Sequence, residues 1–386
     1  MEIRHLTPAD HDDLIYVLNR SFGTTYGRIM DFTKEQPKIE LNDEESMNKH
    51  IGAFIDGKLA CVVGIYPMYG HINEDEVTFA TVGNVATLPE FEGQGAFSKT
   101  FARAMEICEE TGIDVARLGG KRQRYNRYGF EKGGISYECT FTKKNRQRIF
   151  PDFDPSEITF TRIKRDDVET LKFAYEIYKK RDFYLERDTA NNYDVFHRIL
   201  CAKCCVPFIA TNKNGEKIGY ISASVNGERI WEIRATSTEN YKNMIAAWNY
   251  FASCDIRFNI TPLLFEEARF FTKVCEDIKV SSTTFFNVLN WEKTVKVYMN
   301  IKAKYETLPD GELKLAITGY GTLNISVKDG AVSCVRTSDE GDVTLDKLDA
   351  TRLLFGIMPT NTVCPMPYFA KCWFPLPMTW DSLDAL

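Results

Sequence analysis

Gly93-Gln94-Gly95 stands between a strand-like run, Gly83 to Leu88, and an amphipathic helix that continues through Phe101, Ala104, Met105 and Cys108. Glycines at a helix start leave backbone N–H groups bare at the positive end of the helix dipole, a geometry that binds a pyrophosphate. Without side chains, phosphates can approach the backbone closely. The same glycines also suit a plain tight turn from strand into helix, and alone they leave both readings open. The loop has neither the spacing of a P-loop nor the three-glycine dinucleotide fingerprint.

Other clusters carry weaker chemistry. Arg117 to Arg148 holds ten Lys/Arg against two Asp/Glu, a +8 stretch within a chain of net charge −6. Lys121, Arg122, Arg124 and Arg127 either face phosphates or form a solvated basic face. Glu40, Asp43, Glu44 and Glu45 either attract a cationic amine or make an acidic surface loop. Cys201, Cys204 and Cys205 follow His197, but no second ligand pair at zinc-ribbon spacing comes after them. They read as small apolar thiols of a core helix, and no metal site is expected.

The elements that must position these residues come in two similar runs. Ile3 to Asp10 reads as a strand entering an acidic helix cap, followed by Leu14, Val17, Leu18 and Phe22 at helical spacing. Ile158 to Ile163 repeats the plan, with Asp166-Asp167 as cap and Val168, Leu171, Ala174, Tyr175 and Tyr178 as apolar face. A hairpin follows each helix, turning at Asp56-Gly57 and at Asn214-Gly215. Two copies of one α/β module account for this pattern; a chance likeness of a common motif is the alternative. Pro151 to Pro155 suits a linker. From Phe286 a third region shows strands at Leu313–Ile317, Gly321–Val327 and Ala331–Val335, with turns at Asp310-Gly311 and Asp329-Gly330. A helix from Leu345 to Gly356 and a proline-rich, wrapping tail follow.

After the glycine loop and its helix comes a buried strand, Val115-Ala116-Arg117-Leu118. The run Arg124-Tyr125-Asn126-Arg127-Tyr128-Gly129-Phe130-Glu131 follows. This order resembles the GNAT superfamily of acyl-CoA transferases, in which a tyrosine ahead of such a corner sits beside the coenzyme sulfur. With a second copy and a C-terminal sterol-carrier-like domain, the whole chain resembles the enhanced intracellular survival (Eis) type. The resemblance implies an α/β (α+β) fold: a catalytic GNAT module over 1–150, a degenerate second module over 151–285 and a sterol-carrier-like domain over 286–386. The second module's counterpart of the loop, Trp231 to Glu239, has no glycine and is not expected to bind coenzyme. The first departs from the family pattern at Glu92, where Arg or Gln is usual, and carries the bulky Phe97.

The resemblance further implies an N-acetyltransferase that moves an acetyl group from acetyl-CoA to a primary amine of a small molecule or peptide within a ternary complex. Val85, Ala86 and Thr87 would meet the pantetheine arm, with a backbone N–H near Val85 polarising the thioester. Gly93, Gln94, Gly95, Ala96, Phe97 and Ser98 would hold the pyrophosphate. Tyr125 would protonate the leaving thiolate, or else serve as a core tyrosine, with Tyr128 as a second donor. The carboxylate of Leu386, at the end of a stiff tail, would take the amine proton, with Asp381 or Asp384 as substitutes. A homo-oligomer is also implied. The alternative function is a non-catalytic protein that carries a lipid or small ligand in its C-terminal domain.

Composition excludes several classes. At roughly 100–200 residues per domain, 386 residues make two or three. With 44% hydrophobic and 26% charged residues the chain is neither disordered nor fibrous. The net charge gives no overall footprint for nucleic acid. Eleven scattered cysteines suit reduced thiols in the cytoplasm rather than a disulfide framework. The start lacks the apolar core of an export signal. The uncharged run Leu353–Ala370 contains Pro359, Pro365 and Pro367, so it cannot be one membrane-spanning helix.

Overall fold

Lys58–Ile72 and Asp75–Thr87 pair as the longest hairpin of the chain, 15 and 13 residues. The computed structural model describes residues 1–36 and 43–384. His50–Ile55 joins the hairpin through Asp56 and Gly57, whose φ values of 50° and 77° fit the tight turn expected there. Glu2–His5 pairs along the outer edge, and Val115–Leu118 runs parallel to Asp75–Thr87 on the other side. Side chains alternate across this sheet. Val62 packs under the helix His11–Tyr26 with Leu14, Val17 and Leu18. Its neighbour Val63 packs on the opposite face under the helix Ala96–Glu110 with Phe101, Ala104 and Cys108.

The second sheet repeats the plan. Thr159–Arg162, Cys205–Thr211, Lys217–Ser224 and Arg229–Ala235 are antiparallel neighbours, and Ile256–Ile260 runs parallel to the last. The helices Val168–Tyr178 and Thr238–Ala252 take the places of the two helices of the first module. The architecture is therefore mixed α/β with two tandem modules.

The two sheets exchange strands, which the sequence does not announce. Ser136–Phe141 lies in the second sheet, beside Ile256–Ile260. Thr284–Val288 returns to the first, between Val115–Leu118 and Glu131–Gly133. The two crossing points touch. Gly134 has φ 74°, and a Cβ there would come within 2.1 Å of the Thr283 hydroxyl. Thr283 N–H donates to the Gly133 carbonyl at 3.1 Å.

The remaining chain forms a four-stranded mixed sheet covered by the helices Trp291–Tyr305 and Lys347–Phe355. Trp291, Tyr298, Leu315, Ile325, Leu354 and Trp373, each 0% exposed, fill its interior in one apolar cluster with Phe79, Val115 and Phe286 of the first sheet. Asp329-Gly330 turns a hairpin, with φ of 50° and 79°. Asp310-Gly311 does not turn. Gly311 opens a strand, and the ring of Phe369 lies where its Cβ would be, so close packing requires the glycine. The tail then wraps back: Leu376 N–H donates to Leu354, and Ile135 N–H to Met378. Among the described residues no helix is long and apolar enough to cross a membrane.

Candidate active site

The register of the long hairpin slips between the pairs Val62–Ala86 and Gly64–Gly83. Val63 therefore faces two residues, Asn84 and Val85, a bulge that puts Asn84 at φ 52°. Asn84 is held there by a buried network. His50 Nδ1 lies 3.1 Å from the Ser46 carbonyl and so carries the proton, which makes Nε2 the acceptor for Tyr66 (2.8 Å) and the Asn84 amide (3.0 Å). Burial lowers the His50 pKa to about 4, so the ring is neutral at pH 7.

Parallel pairing with Val115–Leu118 covers Phe79, Ala80 and Thr81, the last opposite Arg117. Past this point the strands splay. The gap is a cleft of about 910 Å³ lined by both strands, the glycine loop and Tyr125. Val85, Thr87, Gly93, Gly95, Ala96, Phe97 and Ser98 line it together. The side chains of Ala86 and Gln94 do not. Ala86 points into the core beneath the first helix, and Gln94 turns out to donate to the Glu90 carbonyl.

Gly93 and Gly95 have φ of 77° and 78°, and nothing lies within 4 Å of a Cβ on either. The left-handed backbone requires these glycines, and the space above them is open. The first intrahelical bond runs from Lys99 N–H to Gly95, so the N–H groups just before it have no partner within the helix. Glu92, exposed, also borders the cleft. Lys121, Arg124 and Arg127 line it, whereas Arg122 is committed to the buried Glu131 at 2.6 and 2.8 Å. The bulky Phe97 has a role here: Arg124 and Arg127 lie over its ring at 5.8 and 5.7 Å.

Tyr125 is buried among Phe97, Phe101 and Phe130. Burial raises its pKa, with the charge of Arg124 acting the other way. Tyr128 packs against Phe101, ring centroids 4.5 Å apart and tilted by 47°, and is not among the cleft-lining side chains. Leu386 and Glu40 lie outside the described residues. Asp381 and Asp384 are not at the cleft. Asp384 shares the buried Arg187 with Glu232, and Asp381 pairs with Arg234 at 2.7 Å. These three carboxylates lie close enough together to hold an ion, but each is already bonded to Arg187 or Arg234. Asp43 caps the helix Glu44–Asn48, and Glu45 pairs with Lys49, so both act within their own segment.

The corresponding strand gap of the second module is filled. Arg229–Ala235 and Ile256–Ile260 also splay, but Thr379, Trp380, Asp381 and Ser382 of the tail stand in the gap. Its helix N-terminus is capped by Ser237, which accepts from Asn240 N–H. The cysteines near His197 are not in one helix. The helix ends at Leu200, Lys203 and Cys204 turn through positive φ, and Cys205 starts a strand.

Sequence reasoning missed four residues of this site. Arg117 is 2% exposed and lines the cleft, and its only signal was a lone cation inside an apolar strand. The His50–Tyr66–Asn84 network joins positions far apart in the chain and had no local signal.

Residues 2–133 match a family model described as an acetyltransferase (GNAT) domain. No curated protein sequence matches the chain. Among solved structures, the fold is similar to a GCN5-related N-acetyltransferase from Anabaena variabilis ATCC 29413. The match has 14% identity and TM-score 0.70, over 100% of both chains. The corresponding protein from Kribbella flavida is similar over 100% of this chain and 98% of its own, with 14% identity and TM-score 0.69. Eis1 from Mycobacterium abscessus is similar over 100% of both chains, with 15% identity and TM-score 0.66. The fold of the whole chain is thus a GNAT-type tandem arrangement.

Proposed function

We propose that the first-module cleft transfers an acetyl group from acetyl-CoA to the primary amine of a small molecule or peptide, directly, within a ternary complex. One observation carries this reading: a splayed strand pair leads from an open helix N-terminus to a buried phenol in the same cleft. The coenzyme pyrophosphate would sit on the N–H groups of the loop and first helical turn, with Lys121, Arg124 and Arg127 adding positive charge. The pantetheine arm would lie along the strand past Thr81, and the Val85 N–H would polarise the thioester carbonyl. The amine nitrogen attacks that carbon, the C–N bond forms and the C–S bond breaks. Tyr125 then gives its proton to the thiolate, and the proton that the attacking nitrogen sheds as it becomes an amide passes through solvent to restore the phenol. Burial keeps that proton on the phenol until the thiolate forms beside it.

All eleven cysteines are unpaired, which supports a reducing, cytoplasmic setting. The test is release of free thiol from acetyl-CoA across a panel of primary amines. Amine-dependent release supports the assignment, and the absence of release with every class of amine sinks it.

A further inference from the structure

Arg117 is buried at the cleft, and among the described residues it has no ion-pair partner. Among the described residues its Nη atoms reach only the hydroxyls of Thr81 and Thr284, at 3.4 and 3.3 Å, and its Nε has no hydrogen-bond partner. The guanidinium lies 5.1 Å from the ring centroid of Trp380. No carboxylate among the described residues forms an ion pair with it. The nearby Asp384 acts on it only through its field, being already bonded to Arg187. The contrast with its neighbours is sharp. Arg187 and Arg234, equally buried, each bond directly to carboxylates at 3.0 Å or less. Burying an unpaired cation is costly, and a carboxylate fits the guanidinium fork.

We propose that Arg117 seats a carboxylate carried by a substrate of the acyl transfer, a claim that rests on the function proposed above. Thr81, opposite Arg117, precedes Val85 by four residues, about 13 Å of strand. Allowing for the reach of the Arg117 side chain, a carboxylate there lies within one small substrate's length of the thioester carbon. The charge of the cleft agrees. Among the described residues, Arg117, Lys121, Arg124 and Arg127 line it against the one carboxylate of Glu92. That field suits an anionic coenzyme and an acid-bearing substrate and disfavours a polyamine. The carboxylate could belong to the amine, as in an amino acid, or to the acyl group, as in a dicarboxylic acyl-CoA.

The experiment uses the full chain in two arms. In the first, L-lysine is compared with cadaverine, which differs by one carboxylate. In the second, succinyl-CoA is compared with acetyl-CoA. A preference of about tenfold or more in kcat/KM for the acid-bearing member of one pair is expected, carried mainly by KM. Arg117→Gln should erase it while calorimetric binding of acetyl-CoA persists. On the unmodified chain, propionate should compete with the preferred substrate, which keeps the test valid if the variant fails to fold. Equal rates in both arms, a preference that survives Arg117→Gln, or failure of propionate to compete would overturn the proposal. Absence of acetyl-CoA binding would instead overturn the acyl-transfer reading beneath it.

Discussion

A Cβ placed on Gly120 would sit 2.6 Å from the Cε2 atom of Tyr125. The glycine, at φ 148°, is the surface on which the phenol rests. Gly120→Ala should therefore displace the ring and lower kcat by about tenfold or more, while acetyl-CoA binding persists. Parallel turnover and calorimetric measurements check this, and an unchanged kcat would count against Tyr125 as donor.

Tyr125→Phe should lower kcat by roughly 10²-fold. Burial raises the phenol, so its protonated form persists below the raised pKa and is lost above it. The alkaline limb of the kcat profile should then lie above the ordinary tyrosine range and vanish in the variant. A limb that stays in Tyr125→Phe would assign it to another group.

Glu92 places a carboxylate at the mouth of the glycine loop. Glu92→Gln should tighten acetyl-CoA binding by about threefold at low salt, and added salt should shrink the gain. Titrations at two ionic strengths decide the matter; weaker binding in the variant would show that Glu92 faces away from the phosphates.

His50 carries the pH signature of the bulge. The unfolded ring takes a proton near its ordinary value of 6.5, whereas the buried ring resists until about 4. Its contribution is therefore full above that ordinary value, falls as pH drops between the two, and levels off below about 4. The loss is at most roughly 3 kcal/mol. Denaturant titrations across this range should show that limb in the native chain and a flatter one in His50→Gln.

Arg187 holds Glu232 and the tail residue Asp384 together at 0% side-chain exposure. Arg187→Met would leave two buried carboxylates with less compensation, and a loss of about 3–5 kcal/mol is expected from urea unfolding. A near-neutral effect would mean that water reaches the cluster in the native chain.

What the sequence disclosed was local. Asp56-Gly57 and Asp329-Gly330 turned hairpins because paired positive φ values favour those residues, and the glycine loop was visible for the same reason. Apolar spacing placed Leu14, Val17 and Leu18 on a buried face. Non-local relations were not visible. The exchange of Ser136–Phe141 for Thr284–Val288 depends on which sheet edge is free, and short apolar strands carry no mark of that. Nor was it visible that the Ala86 side chain packs beneath the first helix while Val85, by strand alternation, faces the other side. Asp381 and Asp384 looked available for proton transfer until their arginine partners, far away in sequence, came into view.

The most direct test is the stoichiometry of acetyl-CoA binding to the full chain, measured by calorimetry. The first module holds an open cleft, whereas the tail stands in the corresponding gap of the second. One coenzyme per chain is expected. No binding, or two per chain, would contradict the account.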